Sequence, residues 1–372
     1  MPGRATRCSS LAFRKVRQAQ HANGLASVLS IGTSVPPNCV LRDQYTDYYF
    51  GIISQSHHHV GLKKKLHKLC QKTGIKKRYF YHTEEMLRGH PEFLNRASPS
   101  LDARMDVMAT AVLELASVAA AKAIADWGRP AAEITHLIVS TYSSGGHMPG
   151  ADFRLASLLG LPPSVQRTML YMHGCTSSSA ALRAAKDITE NNSGARILVA
   201  SADLITLMLF RAPDDNDTLM MQSMFSDGAG AVVVVGADPV AGEAQAKFEL
   251  VSASQVMAPA GKLEGGVGLG QLRHSGLLFH PTISDWNDFF WAVHPGGRAM
   301  LDSVEETLEL SPGKLTASRR VLAEYGNMSG PSLIFVLQDL QSSKNGREMG
   351  VMLGLGPGLD VEIMVLRATG NY

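Results

Sequence analysis

TMLYMHGCTSSSAALRAAKDITE, residues 168–190, carries an apolar strand-like run into a small-residue helical pattern, with Cys175 at the junction. The run stops at His173-Gly174, and the helical pattern begins directly after the thiol. A strand that hands over to a helix in this way is a βα unit of an α/β protein. A cysteine at a helix start also feels the partial positive charge of unpaired backbone N–H groups. That field favours thiolate over thiol, so Cys175 is expected to have a lowered pKa. The alternative is a buried cysteine acting as a small apolar side chain.

A second stretch repeats the pattern. In DFFWAVHPGGRAMLDSVEETLEL, residues 288–310, an apolar strand ends at His294-Pro295-Gly296-Gly297 and an amphipathic helix follows. The two halves read as copies, one bringing a thiol and the other an imidazole to a strand-to-helix turn. Nucleophilic thiol chemistry uses that pairing, here expected as thiolate and imidazolium. A third turn, in EYGNMSGPSLIFVLQDL (residues 324–340), places Asn327 just ahead of an apolar helix. Its amide is positioned to donate to a developing oxyanion.

Around these turns strands and helices alternate. Residues 105–125 form an Ala-rich helical pattern closed by Gly128, and ITHLIVSTY, ARILVASA, AGAVVVVGA, EMGVML and LDVEIMVLRA read as strands. The alternation predicts α/β layers with sheets covered on both faces. With 372 residues, 45% hydrophobic and 18% charged, the chain is able to bury a large core and is not disordered. A net charge of +2 spread along the sequence gives no broad basic face, which argues against nucleic acid as a partner. Cys8, Cys39 and Cys70 lack the spacing of a disulfide framework, metal site or redox pair; they read as free thiols in a reducing, cytoplasmic setting. No run of eighteen apolar residues occurs, so a soluble chain without a membrane span is expected.

Some motifs invite a function they do not support. GGVGLG (265–270) and GLGPG (354–358) do not open a helix in a βαβ unit, so turns are expected rather than phosphate loops. His57-His58-His59 has no partner ligands nearby and adjacent side chains splay apart, so no metal is expected. Lys65, Lys68 and Lys72 fall at i, i+3 and i+7, which puts three ammonium groups on one helical face beside an apolar stripe. A solvated face is the ordinary reading of such a run.

GIKKRYFYHTEEML (74–87), SLDARMDVMA (100–109), MPGADFRLASLLGL (148–161), GCTSSSAALRAAKDITENNSGARILV (174–199), FSDGAGAVVV (225–234), AVHPGG (292–297), EYGNMSG (324–330) and GLGPGL (354–359) together closely resemble plant type III polyketide synthases, the chalcone and stilbene synthase group. The resemblance runs from about Lys15 to the C-terminus. It implies a duplicated thiolase-type fold of αβαβα layers with a smaller cavity region in the C-terminal half. Residues 15–240 would carry the nucleophilic cysteine, and residues 241–372 the histidine and asparagine. The implied activity condenses a starter acyl-CoA, of phenylpropanoid type, with malonyl-CoA on a cysteine thioester, without a cofactor. Cys175, His294 and Asn327 would be catalytic, and Phe225 and Phe279 would match the aromatic gatekeepers. Lys65, Lys68 and Lys72 would bind coenzyme A phosphates; Met148, Leu209, Gly270 and Ser329 would line the cavity. A homodimer is implied, with Met148 reaching the neighbouring subunit. The basic, acid-free start MPGRATRCSSLAFRKVRQ has the look of a transit peptide, but RKVRQAQHANG resembles the family's N-terminal helix.

Departures from the family pattern accompany the matches. His173 and Thr176 flank the thiol where glutamine and phenylalanine are usual, and Leu207, Met208 and Leu209 are bulky for a starter pocket. Only HPTISDWNDFFWAV (280–293) lies between Phe279 and His294, leaving no space for the amphipathic helix expected there. An alternative function follows from that loss: a catalytically impaired homologue that dimerises with, or modulates, active relatives.

Overall fold

The computed structural model describes residues 20–53, 60–95, 97–143, 147–213, 216–236, 242–257, 286–342, 348–358 and 360–369. In chain order these hold β1 (Ala26–Ser34), β2 (Asn38–Leu41), α1 (Arg42–Ile53), α2 (Val60–Lys72), β3 (Lys77–Phe80), α3 (Glu84–Gly89), α4 (Leu101–Trp127), β4 (His136–Thr141), α5 (Ala151–Leu158), β5 (Gln166–Tyr171), α6 (Ser177–Asn191), β6 (Arg196–Asp203), α7 (Ile205–Leu209), α8 (Asn216–Met224) and β7 (Gly228–Val235). The second half adds β8 (Phe248–Met257), β9 (Phe290–Val293), α9 (Arg298–Thr307), α10 (Thr316–Tyr325), α11 (Pro331–Ser342), β10 (Met349–Leu355) and β11 (Asp360–Ala368).

Nine strands form a mixed sheet in the order β5-β4-β6-β7-β1-β8-β11-β10-β9, while β2 and β3 pair separately. Pairing is parallel at β5–β4, β4–β6 and β10–β9 and antiparallel elsewhere in the large sheet. Within the described sheet the halves pair where Ala26–Val28 of β1 meets Phe248–Leu250 of β8. Period-2 alternation sends successive side chains of each strand into different apolar clusters. Leu198 and Ala200 of β6 fall in the cluster that holds α4, whereas Ile197 and Val199 fall in the one that holds α6 and α11. Met352 of β10 joins that central cluster, while Val351 and Leu353 join a third with Leu301 and Val304 of α9. Outer helix α4, one half of the sheet, central α6 and α11, the other half, and outer α9 and α10 therefore stack as αβαβα. This bears out the thiolase-type expectation.

Helix α4 begins four residues before the pattern read from sequence and ends at Gly128, whose φ of 80° suits a glycine C-cap. Among the described residues it is the one helix long and apolar enough to cross a membrane. Counting uninterrupted apolar residues passed over it. Its Met108, Val112 and Ala116 are buried in the cluster shared with the sheet, while Asp106, Glu114 and Lys122 are exposed, so it is a core helix. Against it β1 passes so closely that a Cβ on Gly32 would lie 2.2 Å from the Ala119 carbonyl oxygen.

The expected copy relation needs correcting. Central α6 starts just after the Cys175 turn, and the helix packed against it in the same layer, α11, starts just after the Asn327 turn. The helix after His294, α9, lies in the outer layer. Asn327, rather than His294, is the counterpart of Cys175. Amphipathic spacing identified both later helices but gave no hint of which layer each would occupy. Residues 258–285, with Gly270, Phe279, GGVGLG and most of the interval thought to lack a helix, lie outside the described residues, as do Cys8 and His57–His59. What is described before β9 is a single 3-10 turn, Trp286–Asp288. GLGPG forms the tight connection between antiparallel β10 and β11, as expected of a turn.

Candidate active site

β5 ends at Tyr171, a 3-10 turn covers Gly174–Thr176, and α6 follows, so Cys175 sits in the turn ahead of the helix. Gly174 takes φ 56°, and a Cβ there would come 3.1 Å from Pro357 of the β10–β11 connection. Thr176, placed where an aromatic ring was expected, is fully buried. Its hydroxyl donates to Asp360 Oδ2 at 2.9 Å, tying the nucleophile turn to β11. His294 follows directly after β9 and is fully buried; its backbone N–H donates to the Leu353 carbonyl at 2.8 Å. Both of its ring nitrogens lack a hydrogen-bond partner among the described residues.

Asn327 joins these pieces. One N–H of its amide donates to the Gly296 carbonyl at 3.0 Å, and its Oδ1 accepts the Ser329 backbone N–H at 2.8 Å. The amide has a second N–H, and it lies near the Cys175 sulfur. Ser329 is buried with φ 61°, and its hydroxyl lies beside both that sulfur and Asp203 without a well-formed hydrogen bond. Phe225, half-buried, is bridged to Asn327: the Ser226 N–H donates to the Asn327 carbonyl at 2.9 Å, and the Asn327 N–H to the Met224 carbonyl at 3.1 Å. Cys175, Asn327, Ser329 and Phe225 thus meet, with His294 attached through Gly296.

The electrostatics reverse one expectation. Burial pushes the Cys175 thiol up to about 11, with the Asp203 carboxylate adding to the rise and Ser329 and Asn327 opposing it. Burial also pushes His294 down to about 4. The helix-start field is worth about one pK unit, whereas burial shifts a group by as much as ~3–5 units. Burial thus favours the neutral thiol and the neutral imidazole, against the expected ion pair. Alkylation of Cys175 by iodoacetamide, followed by peptide mass spectrometry, should accelerate about tenfold per pH unit from pH 7 to 9. A rate that is flat over that range would restore the ion pair.

Sequence reading missed Asp203. It is fully buried at the end of β6, with Oδ1 accepting the Tyr142 N–H at 3.0 Å, and burial raises it to about 6. A lone aspartate ending an apolar strand carries no signal of a distant sulfur. The lysines stand as the spacing implied: Lys65, Lys68 and Lys72 are exposed on α2, whose opposite side buries Leu66 and Cys70. Arg298 adds a cation beside Gly74, just past the end of α2, also unforeseen. Met148 is 99% exposed, and Leu209 is half-buried at the end of α7. Among the described residues no three His, Cys, Asp or Glu side chains gather as a metal site. A cavity of about 300 Å³ at Trp291 and Lys314 and one of about 540 Å³ at Tyr81 and Lys122 are not lined by Cys175, His294 or Asn327.

A layered αβαβα fold that brings a cysteine, a histidine and an asparagine together between its halves is that of the thiolase-type condensing enzymes. The N-terminal domain of chalcone and stilbene synthases matches residues 13–239, and their C-terminal domain matches residues 274–370. A bisdemethoxycurcumin synthase from Oryza sativa subsp. japonica is 49% identical over 390 residues, covering 96% of each chain. The chain belongs to the chalcone and stilbene synthase family and is a type III polyketide synthase, an acyltransferase. None of these matches favours the impaired-partner alternative.

Proposed function

We propose that the enzyme loads an aromatic, phenylpropanoid-type acyl group from its CoA thioester onto Cys175 and extends it with malonyl-CoA. The name of the rice relative, a bisdemethoxycurcumin synthase, and its 49% identity support an aromatic starter. The convergence of a neutral thiol, an unpartnered neutral imidazole and the Asn327 amide carries the mechanism. As the starter thioester arrives, His294 takes the thiol proton. The sulfur then attacks the carbonyl carbon, the bond to the CoA sulfur breaks, and CoA leaves as a thiolate that takes its proton from water, so His294 keeps the thiol proton. Malonyl-CoA then loses CO2, and the electron pair of the broken C–C bond forms an enolate. Its oxygen is held by the free Asn327 N–H and by His294, now protonated. The enolate carbon attacks the enzyme-bound acyl carbon, and the Cys175 thiolate is released.

Thioester exchange and decarboxylation supply the driving force, so this chemistry uses no resident cofactor or metal. Phe225 and Phe279 would shield the enolate from water, while Leu209, Gly270, Ser329 and a partner's Met148 would shape the product cavity. Lys65, Lys68 and Lys72 would hold CoA phosphates at the entrance. Changing all three to alanine should raise KM for malonyl-CoA about tenfold with kcat little changed, read from initial rates. An unchanged KM would return them to a solvated face.

A homodimer in the cytoplasm completes the reading. Strand β5 is a sheet edge exposed along Gln166–Thr168, and Met148, Phe153, Leu158 and Met172 are exposed apolar side chains beside it in sequence. Such an edge is a template for a second strand. Size-exclusion chromatography with light scattering should give twice the 40.0 kDa chain mass, and a strict monomer would end this part of the proposal. The whole reading is tested by incubating purified protein with malonyl-CoA and a starter panel. Starter-dependent polyketides in the mass spectra are expected; folded protein yielding none would overturn it.

A further inference from the structure

Gln222 is 5% exposed in α8, and each end of its side-chain amide is engaged. Its Oε1 accepts the Tyr45 hydroxyl at 2.8 Å, and its Nε2 donates to the Leu209 carbonyl at 2.9 Å. Its own backbone carbonyl accepts Arg78 Nη1 at 2.7 Å, and the same nitrogen donates to the Phe225 carbonyl at 3.0 Å. Arg78 is itself buried, its guanidinium carbon 3.7 Å from the centre of the Tyr45 ring.

Helix α7 has five residues, so its last carbonyls have no helical partners and must find others. Side chains supply them, here and for the two residues that follow the helix. Arg104 donates to the carbonyls of Leu207 and Phe210, the latter at 2.8 Å, and the Tyr49 hydroxyl donates to the Arg211 carbonyl at 2.6 Å. Among these donors Gln222 alone comes from the helix that leads into Phe225. A buried amide bonded at both ends admits little displacement of either neighbour.

We infer that Gln222 is a positioning residue for starter selection, fixing through one side-chain amide the distance between the Leu209 wall and the Phe225 gate. This rests on the proposed function, which assigns those two residues to the cavity. It needs no contact between Gln222 and substrate. Arg78 holds the same stretch of backbone, and its stem packs on Gly326, next to Asn327.

The test compares kcat/KM for p-coumaroyl-CoA and hexanoyl-CoA in the full-length enzyme, the Gln222→Leu variant and the Tyr45→Phe variant. Gln222→Leu removes both amide bonds at similar volume, and Tyr45→Phe removes one donor while keeping the ring. The starter ratio should shift about tenfold in the first and about threefold in the second, with KM for malonyl-CoA within about twofold of wild type. Equal losses for both starters, or an unchanged ratio, would overturn the inference while leaving the polyketide synthase reading intact. If Gln222→Leu does not fold, an unchanged ratio in Tyr45→Phe overturns it alone. A folded wild type inactive with every starter overturns the parent reading and this inference together.

Discussion

Cys175→Ala is expected to lower starter-dependent product formation by on the order of 10⁴-fold or more, because no other group can carry the acyl chain. The fold should not suffer. The sulfur makes no ordered hydrogen bond stronger than its weak contacts with Ser329 and Asn327, and alanine removes only that one heavy atom. The change in stability should therefore stay within about 1 kcal/mol. Product mass spectra together with a thermal melt separate the two effects. Product at more than about one hundredth of the wild-type rate, from an intact variant, would remove the thiol from the mechanism.

Gly32→Ala should produce the largest loss of stability, with no chemistry involved. The added Cβ would come 2.2 Å from the Ala119 carbonyl oxygen and 2.5 Å from the Ala123 nitrogen, both backbone atoms of α4. Neither can turn aside as a side chain would, so β1 and α4 must separate. β1 is central in the sheet, between β7 and β8, so the separation opens the apolar cluster around α4. A cost of roughly 3 kcal/mol or more follows, read as a lowered urea midpoint. An unchanged midpoint would mean that strand and helix do not approach so closely.

How much of this was legible in the sequence depends on the range of the interactions involved. Cys175, His294 and Asn327 each stand at a junction where hydrophobic period changes, and period is a local property. Buried strands such as Gly228–Val235 announce themselves as continuous apolar runs for the same reason. The layer assignment of α9 and α11 was not local. It depends on which strands they cover: α11 packs on β7 and β1 of the first half as well as on β9, whereas α9 lies with β9 and β10 of its own half, and this decided that Asn327 mirrors Cys175. The opposing influences on the thiol's acidity were not both legible, because a helix start is visible in sequence whereas burial of the sulfur is not. Asp203, Arg78 and Gln222 escaped notice for a related reason: each acts through a backbone carbonyl, a backbone N–H or a sulfur that lies far away along the chain.

The Thr176–Asp360 hydrogen bond spans 184 residues, and that span sets an order of events during synthesis. The ribosome releases the sulfur long before the hairpin that closes over it. Until β10 and β11 emerge and dock, the turn lacks its Asp360 anchor and the Pro357 wall, so a nascent or C-terminally truncated chain holds its thiol in water at an ordinary acidity. The turn that carries the nucleophile thus takes its final geometry only when that hairpin docks.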